Sequence, residues 1–332
     1  MKEMLISMRN NRKAWGVGLV LLGIFLILPC LITSNYLISM LVYCFSFAAF
    51  GVAWNIIGGY GAQISWCHAS FVAIGAYASY LMYLELGITP FVSVFVAMAI
   101  SCLLATVCGY GTFRLRGSYF SIATIAFAEV VRVLLLYFKD FTGGASGKYI
   151  TFRGETFWGL TFREDTPFYY IMLALLLLTI FISYRLNKSK IGYYLGATKG
   201  DEDAAQSLGI STFKIKLYAF QISAMITTAV GAFFAFFLTY IDPTSVGNLT
   251  LSIRIGIVAI VGGLGTLWGP VIGAFIIVPL IELASILLAS TGGSQILYGL
   301  ILVVMVIFCP NGIVGLYRNF REKYAVSKGK KA

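Results

Sequence analysis

The sequence predicts an all-α polytopic membrane protein, and three observations carry that prediction. Of its 332 residues, 59% are hydrophobic and 11% charged, against roughly 45–50% and about 25% in ordinary soluble domains. Apolar runs such as Leu173–Ile182 (LALLLLTIFI) are continuous, which fits helices and not the short alternating strands of a membrane barrel. The net charge of +11 gathers in loops and at both ends of the chain. That is the pattern of topology determinants beside anionic headgroups, and it argues against a nucleic-acid surface.

A bilayer core about 30 Å thick takes about 20 helical residues to cross. On that measure the spans are Ala14–Ile32, Tyr36–Ile57, Ala62–Leu84, Phe91–Thr112, Ser118–Phe138, Pro167–Arg185, Phe213–Tyr240, Leu249–Val261, Val271–Ala289 and Ser294–Phe308. These make about ten, with eight or nine left open because two of the pieces are short. The first is long and lacks a small-residue cleavage site, so it reads as a span and not as a cleaved signal. Lys2, Arg9, Arg12 and Lys13 precede it, and Arg318, Arg321, Lys323, Lys328, Lys330 and Lys331 follow the last. Both termini are therefore expected in the cytoplasm. The expected organisation is a basic N-terminus (1–13), a transmembrane domain (14–309) and a basic tail (310–332).

The loops agree with this alternation. Arg114 and Arg116 follow the fourth span, and Arg185, Lys188, Lys190 and Lys199 follow the sixth, so both loops fall inside. The long loop 139–166 is charge-balanced and falls outside; its Phe157, Trp158 and Phe162 suit either docking a partner or capping the bundle. The inner loop 187–212 carries a short helical stretch at Asp201–Leu208.

Polar residues inside the apolar bulk are the candidates for function, because an ionised side chain at depth costs several kcal/mol unless paired, hydrated or turned inward. Glu129 and Arg132 are three apart on one helix and share a face, as an ion pair or as part of a pathway. Arg254 sits early in a short apolar run on the outer side, placed either to snorkel to the interface or to meet a carboxylate, and Glu282 needs a partner the sequence does not identify. His68, the single histidine, shares its segment with Gln63, Ser65 and Ser70. It reads as an interhelical hydrogen-bonding group before a proton relay, since no second titratable group is tied to it. The six cysteines lie in or beside apolar segments without a close C-x-x-C, and read as buried hydrophobes. Gly144-Ala145-Ser146-Gly147-Lys148 approaches a phosphate-binding loop, but Thr142 and Tyr149 stand where Gly and Ser/Thr are required. No nucleotide, metal, cofactor or catalytic site is expected.

Glycines mark two breaks. Gly58-Gly59-Tyr60-Gly61 precedes Ile74-Gly75-Ala76-Tyr77, and Gly262-Gly263-Leu264-Gly265 precedes Ile272-Gly273-Ala274-Phe275. An internal repeat with matching broken helices would produce this echo; so would glycines that merely allow close packing.

Asn55-Ile56-Ile57-Gly58-Gly59-Tyr60-Gly61-Ala62-Gln63-Ile64-Ser65, then His68-Ala69-Ser70-Phe71 and Ile74-Gly75-Ala76-Tyr77, resemble the early signature of the LivM-like permeases, membrane subunits of branched-chain amino-acid ABC importers. Further pieces run in order: Leu115–Phe120, Ala128-Glu129-Val130-Val131-Arg132, Thr142-Gly143-Gly144, Ala204-Ala205 with Leu208-Gly209, Gly262–Thr266 with Gly269-Pro270, and Pro310-Asn311-Gly312. The ordered set over Asn55–Gly315 carries the resemblance.

The resemblance implies a non-enzymatic permease in a bacterial inner membrane. Its partners would be a homologous second permease subunit, two cytoplasmic ATPases that hydrolyse ATP, and an extracytoplasmic binding protein. It further implies that Lys199, Asp201, Glu202, Ala204, Ala205 and Gly209 belong to the loop that docks the ATPase. Lys199-Gly200 stands where the family commonly has Arg-Glu, and Arg254 where it often has an acidic or apolar residue. Urea and short-chain amide permeases are similar at this level, and a stand-alone channel or ion-coupled transporter is the rival from another class.

Overall fold

The computed structural model describes residues 25–32, 34–150 and 154–287, with isolated positions up to 315. Eight helices in this region are long and apolar enough to cross a membrane. They answer one for one to the second through ninth expected spans; the expected spans at Ala14–Ile32 and Ser294–Phe308 fall mostly outside the described residues.

Helix α1 (Asn35–Asn55) leads into a widened π turn at Ile56–Tyr60. After a non-helical stretch come α2 (His68–Leu86), α3 (Pro90–Thr112) and α4 (Ser118–Tyr137). One connecting segment holds the single turn α5 (Lys139–Thr142) and strand β1 (Lys148–Tyr149). Helix α6 (Thr166–Asn187) is followed by two short helices, α7 (Lys190–Gly200) and α8 (Glu202–Ser207). The long α9 (Thr212–Leu238) ends at β2 (Tyr240–Ile241). Then α10 (Pro243–Val246) and α11 (Leu249–Gly263) form one span, and α12 (Gly269–Leu287) the last.

Helices α1, α2 and α9 form the centre. Of the most apolar window in α1, 72% is buried, against 22% in α4, which lies at the rim. Lipid is as apolar as leucine, so helices in a membrane associate by close packing rather than by escaping solvent. The crossing of α2 and α9 shows this. A Cβ on Gly75 would stand 2.2 Å from the Thr228 carbonyl oxygen, and one on Gly231 2.8 Å from Val72 Cα. The backbones touch because neither glycine carries a side chain.

The third span departs from expectation. The sequence predicts a helix from Ala62, but residues 62–67 are non-helical, with Ala62 at φ +53°, and the helix begins at His68. Non-helical backbone at this depth needs internal hydrogen bonds, and neighbouring side chains supply them. Trp54 Nε1 donates to the Ser65 carbonyl at 2.7 Å, Ser121 Oγ to the Ile64 carbonyl at 2.7 Å, and Trp66 N to Thr124 Oγ1 at 3.0 Å.

The two ends of the bundle are set apart by contacts. At one end β1 pairs antiparallel with β2, and Lys148 bonds Glu85 at 2.9 Å. The near-miss phosphate loop is thus spent on a turn and a strand. At the other end lie Gly58–Gly61, Arg116, α7, α8 and Gly262–Gly265.

Candidate functional site

The two glycine breaks, far apart in sequence, meet. Asn55, the last residue of α1, reaches across with both ends of its amide: Nδ2 donates to the Thr266 carbonyl at 2.9 Å, and Oδ1 accepts from Gly265 N at 2.9 Å. Gly59 lies inside this clamp, where a Cβ would be 1.8 Å from Asn55 Oδ1 and 2.6 Å from Gly265 N. Gly265 adopts φ +73°, a conformation that favours glycine. Gly262 meets the Gly269 carbonyl in the same way, and Gly263 (φ +132°) ends α11. Gly58 packs beneath the Trp54 ring, and Gly61 lies over the Ile57 carbonyl. Lys199, near the end of α7, donates from Nζ to the Gly59 carbonyl at 2.9 Å. One lysine of the loop 187–212 therefore holds the point where both breaks join.

The rest of that loop is wired to the helices by charge. Asp201 caps α8 by accepting from Asp203 N at 2.9 Å and Ala204 N at 3.0 Å, which satisfies two otherwise orphaned donors. Glu202 Oε2 pairs with Lys216 Nζ at 2.7 Å, and the Lys216 side chain is buried in α9. Arg116 forks onto Asp203 at 2.7 and 3.1 Å. Its hydrogen bond and charge hold the Asp203 carboxyl below the usual carboxylate range. Ala205 is buried, whereas Ala204, Leu208 and Gly209 (φ +82°) are exposed. The loop thus has one tied-down face and one free face.

The other candidates lie elsewhere. His68 is buried at the start of α2, with Nε2 2.9 Å from Ser223 Oγ, and Ser223 donates to the Ala53 carbonyl at 2.6 Å. Since Ser223 spends its proton there, its oxygen accepts from an Nε2–H of His68. Ala69 N donates to Ser252 Oγ at 2.9 Å, so this corner ties α1, α2, α9 and α11 together. Gln63 is half-buried in the non-helical stretch. Glu129 and Arg132 pair within α4, Nε to Oε2 at 3.0 Å, and the Glu129 side chain is 52% exposed. The pair links no two helices and lies on the outward side of the chain. Arg254 and Glu282 line one cavity of about 430 Å³ toward the opposite end of the bundle, beside Ser39 and Tyr43.

Asn55, Lys216, Ser223 and Ser252 are not among the site residues the sequence singles out. A signal existed for two of them. An amide three residues before a glycine break, and a lysine inside an apolar run downstream of an acidic cap, are both unusual in apolar segments. Among the described residues no cluster of three His, Cys, Asp or Glu side chains could hold a metal.

A family model described as the permease component of branched-chain amino acid transport systems matches residues 36–308. The high-affinity branched-chain amino acid transport system permease protein LivM of Salmonella typhimurium is 28% identical, over 85% of this chain and 71% of its own. LivH of Escherichia coli, a permease protein of the same kind of system, is 25% identical over 81% of this chain and 91% of its own. An autoinducer 2 import system permease protein, LsrC of Yersinia pestis, is 26% identical over 45% of this chain and 44% of its own. No solved structure matches.

Proposed function

Because this chain belongs to the branched-chain amino acid transport permease family, we propose that it is the membrane subunit through which an ATP-driven importer passes branched-chain amino acids. It is a multi-pass inner-membrane permease. Similarity to both LivM and LivH proteins supports pairing with a second, homologous permease. In this reading two cytoplasmic ATPases supply the energy and an external binding protein delivers the solute.

The observation that carries the mechanism is the Lys199 contact with Gly59. The end bearing Arg114, Arg116, Arg185, Lys188 and Lys190 is the cytoplasmic one by the positive-inside rule. There the free face of α8, with Ala204, Leu208 and Gly209, seats on an ATPase. Glu202–Lys216 and Arg116–Asp203 make α8 move with α9 and with the turn before α4. Lys199 carries that motion to the joint of the two glycine breaks, whose opening and closing changes the inner side of the pathway. ATP binding draws the ATPases together, and the alternation follows as a shift between two arrangements.

The test is uptake into proteoliposomes holding this chain, its partner permease, the ATPases and the binding protein. Leucine, isoleucine and valine are expected to enter only with internal ATP, and urea and acetamide not at all. Leucine uptake by this chain alone, without ATPases, would sink the proposal.

A further inference from the structure

The cavity that holds Arg254 and Glu282 has a chemistry of its own. It lies in the outer half of the bundle between α1, α9, α11 and α12, and its volume of about 430 Å³ falls in the range of small-ligand sites. Phe47, Phe234, Val258 and Ile277 make most of its wall apolar. Two opposite charges interrupt that wall, a half-buried Arg254 and an exposed Glu282. Arg254 Nε is buried and has no hydrogen-bond partner among the described residues. No described carboxylate lies within ion-pairing distance of Arg254, Glu282 included; the ion pairs among the described residues are Arg116–Asp203, Arg132–Glu129, Lys148–Glu85 and Lys216–Glu202.

A guanidinium nitrogen buried without a hydrogen-bond partner is costly. A structure that keeps a cation and an anion in one apolar cavity without joining them is complementary to a ligand with both charges and an aliphatic body. We propose that this cavity is a transit site for an aliphatic amino acid zwitterion. Arg254 receives the α-carboxylate, Glu282 the α-ammonium, and the Phe47–Phe234–Val258–Ile277 wall receives the branched side chain. The guanidinium forks onto a carboxylate in the geometry it favours, and the ligand supplies the partner that the buried Arg254 Nε lacks. This inference rests on the transport reading above and adds the residues that meet the solute inside the membrane.

The test places a reporter on the wall. Met40 lines the cavity; a Met40→Cys variant of the complete importer in proteoliposomes is labelled with a water-soluble thiosulfonate, with the parent importer measuring background. Leucine is expected to slow labelling several-fold. Leucinol, which keeps only the cation, and isocaproate, which keeps only the anion, are expected to give no protection. Adding Arg254→Gln or Glu282→Gln should raise the protecting leucine concentration about tenfold or more, the worth of one charged hydrogen bond. Co-purification of the ATPases and the partner permease with those variants shows that they fold. The analogue arms need no variant of the charged pair at all. Leucine uptake by the parent with no protection of the Met40→Cys importer, or protection by leucinol equal to that by leucine, overturns the site while the transport reading stands. Absence of leucine uptake by the parent overturns both.

Discussion

Lys199 shows how much one side chain carries here. A lysine near the end of a short helix would ordinarily extend into solvent, yet its ammonium is spent on the Gly59 carbonyl at 2.9 Å. Lys199→Met keeps the apolar stem and removes the donor. ATP hydrolysis by the assembled importer should persist while leucine delivered per ATP falls several-fold; an unchanged ratio would discard the latch. The Glu202–Lys216 pair makes a different prediction, one about stability. Lys216 is buried at 3% side-chain exposure and Glu202 at 24%, so removing one partner strands a desolvated charge. Glu202→Gln should cost about 3 kcal/mol, the low end for breaking a buried pair. The double variant Glu202→Gln with Lys216→Met should recover most of that loss. Thermal unfolding midpoints of the three proteins in detergent decide whether the penalty belongs to the stranded charge or to the lost contact.

At the scale of elements, apolar runs suffice to locate helices, because lipid makes length and hydropathy decisive. That is why eight expected spans reappear with ends shifted by a few residues. The same rule fails at residues 62–67. Their composition suits a helix, and the side chains of Trp54, Ser121 and Thr124, from other segments, satisfy the non-helical path there. The glycine breaks were legible as breaks, but their meeting was not, since it depends on the Asn55 amide reaching a loop 210 residues away. Charge pairs were legible where the spacing is local, as in Glu129 and Arg132. The cavity that unites Arg254 with Glu282 comes from packing α11 on α12, which no spacing shows. Helix crossing yields a prediction at this scale. Gly75→Ala drives a methyl into the Thr228 carbonyl at 2.2 Å, and backbone cannot yield as a side chain would. A loss of roughly 1–3 kcal/mol is expected, as for overpacked cores. Gly111, also helical, has nothing within 4 Å of an added Cβ. Gly111→Ala should be neutral or gain up to about 1 kcal/mol from helix propensity. Equal effects of the two changes on the detergent unfolding midpoint would show that the crossing tolerates a side chain.

For the whole molecule the question is which faces meet lipid. Helix α4 buries Phe120, Thr124, Ala128 and Val131 on one side and turns Ile122, Ala126, Glu129 and Val133 to the other. Glu129 lies ~17 Å along the axis from Ser118 at 1.5 Å per residue, which is close to the middle of the bilayer. A half-exposed carboxylate there, even paired with Arg132, is costly against hydrocarbon. A face that presents it is expected to meet protein or enclosed water, and in the proposed importer the second permease is the candidate. Helix α3 offers the contrast: Phe95, Leu103 and Val107 are exposed with no charge among them, as a lipid-facing side requires. In lipid carrying brominated chains, a tryptophan placed by Val107→Trp should be quenched strongly in the chain alone and in the assembled importer. One placed by Val133→Trp should be quenched in the chain alone and shielded on assembly. Persistent quenching at position 133 in the complete importer would put α4 against lipid, and the Glu129–Arg132 pair would then need another way of staying hydrated.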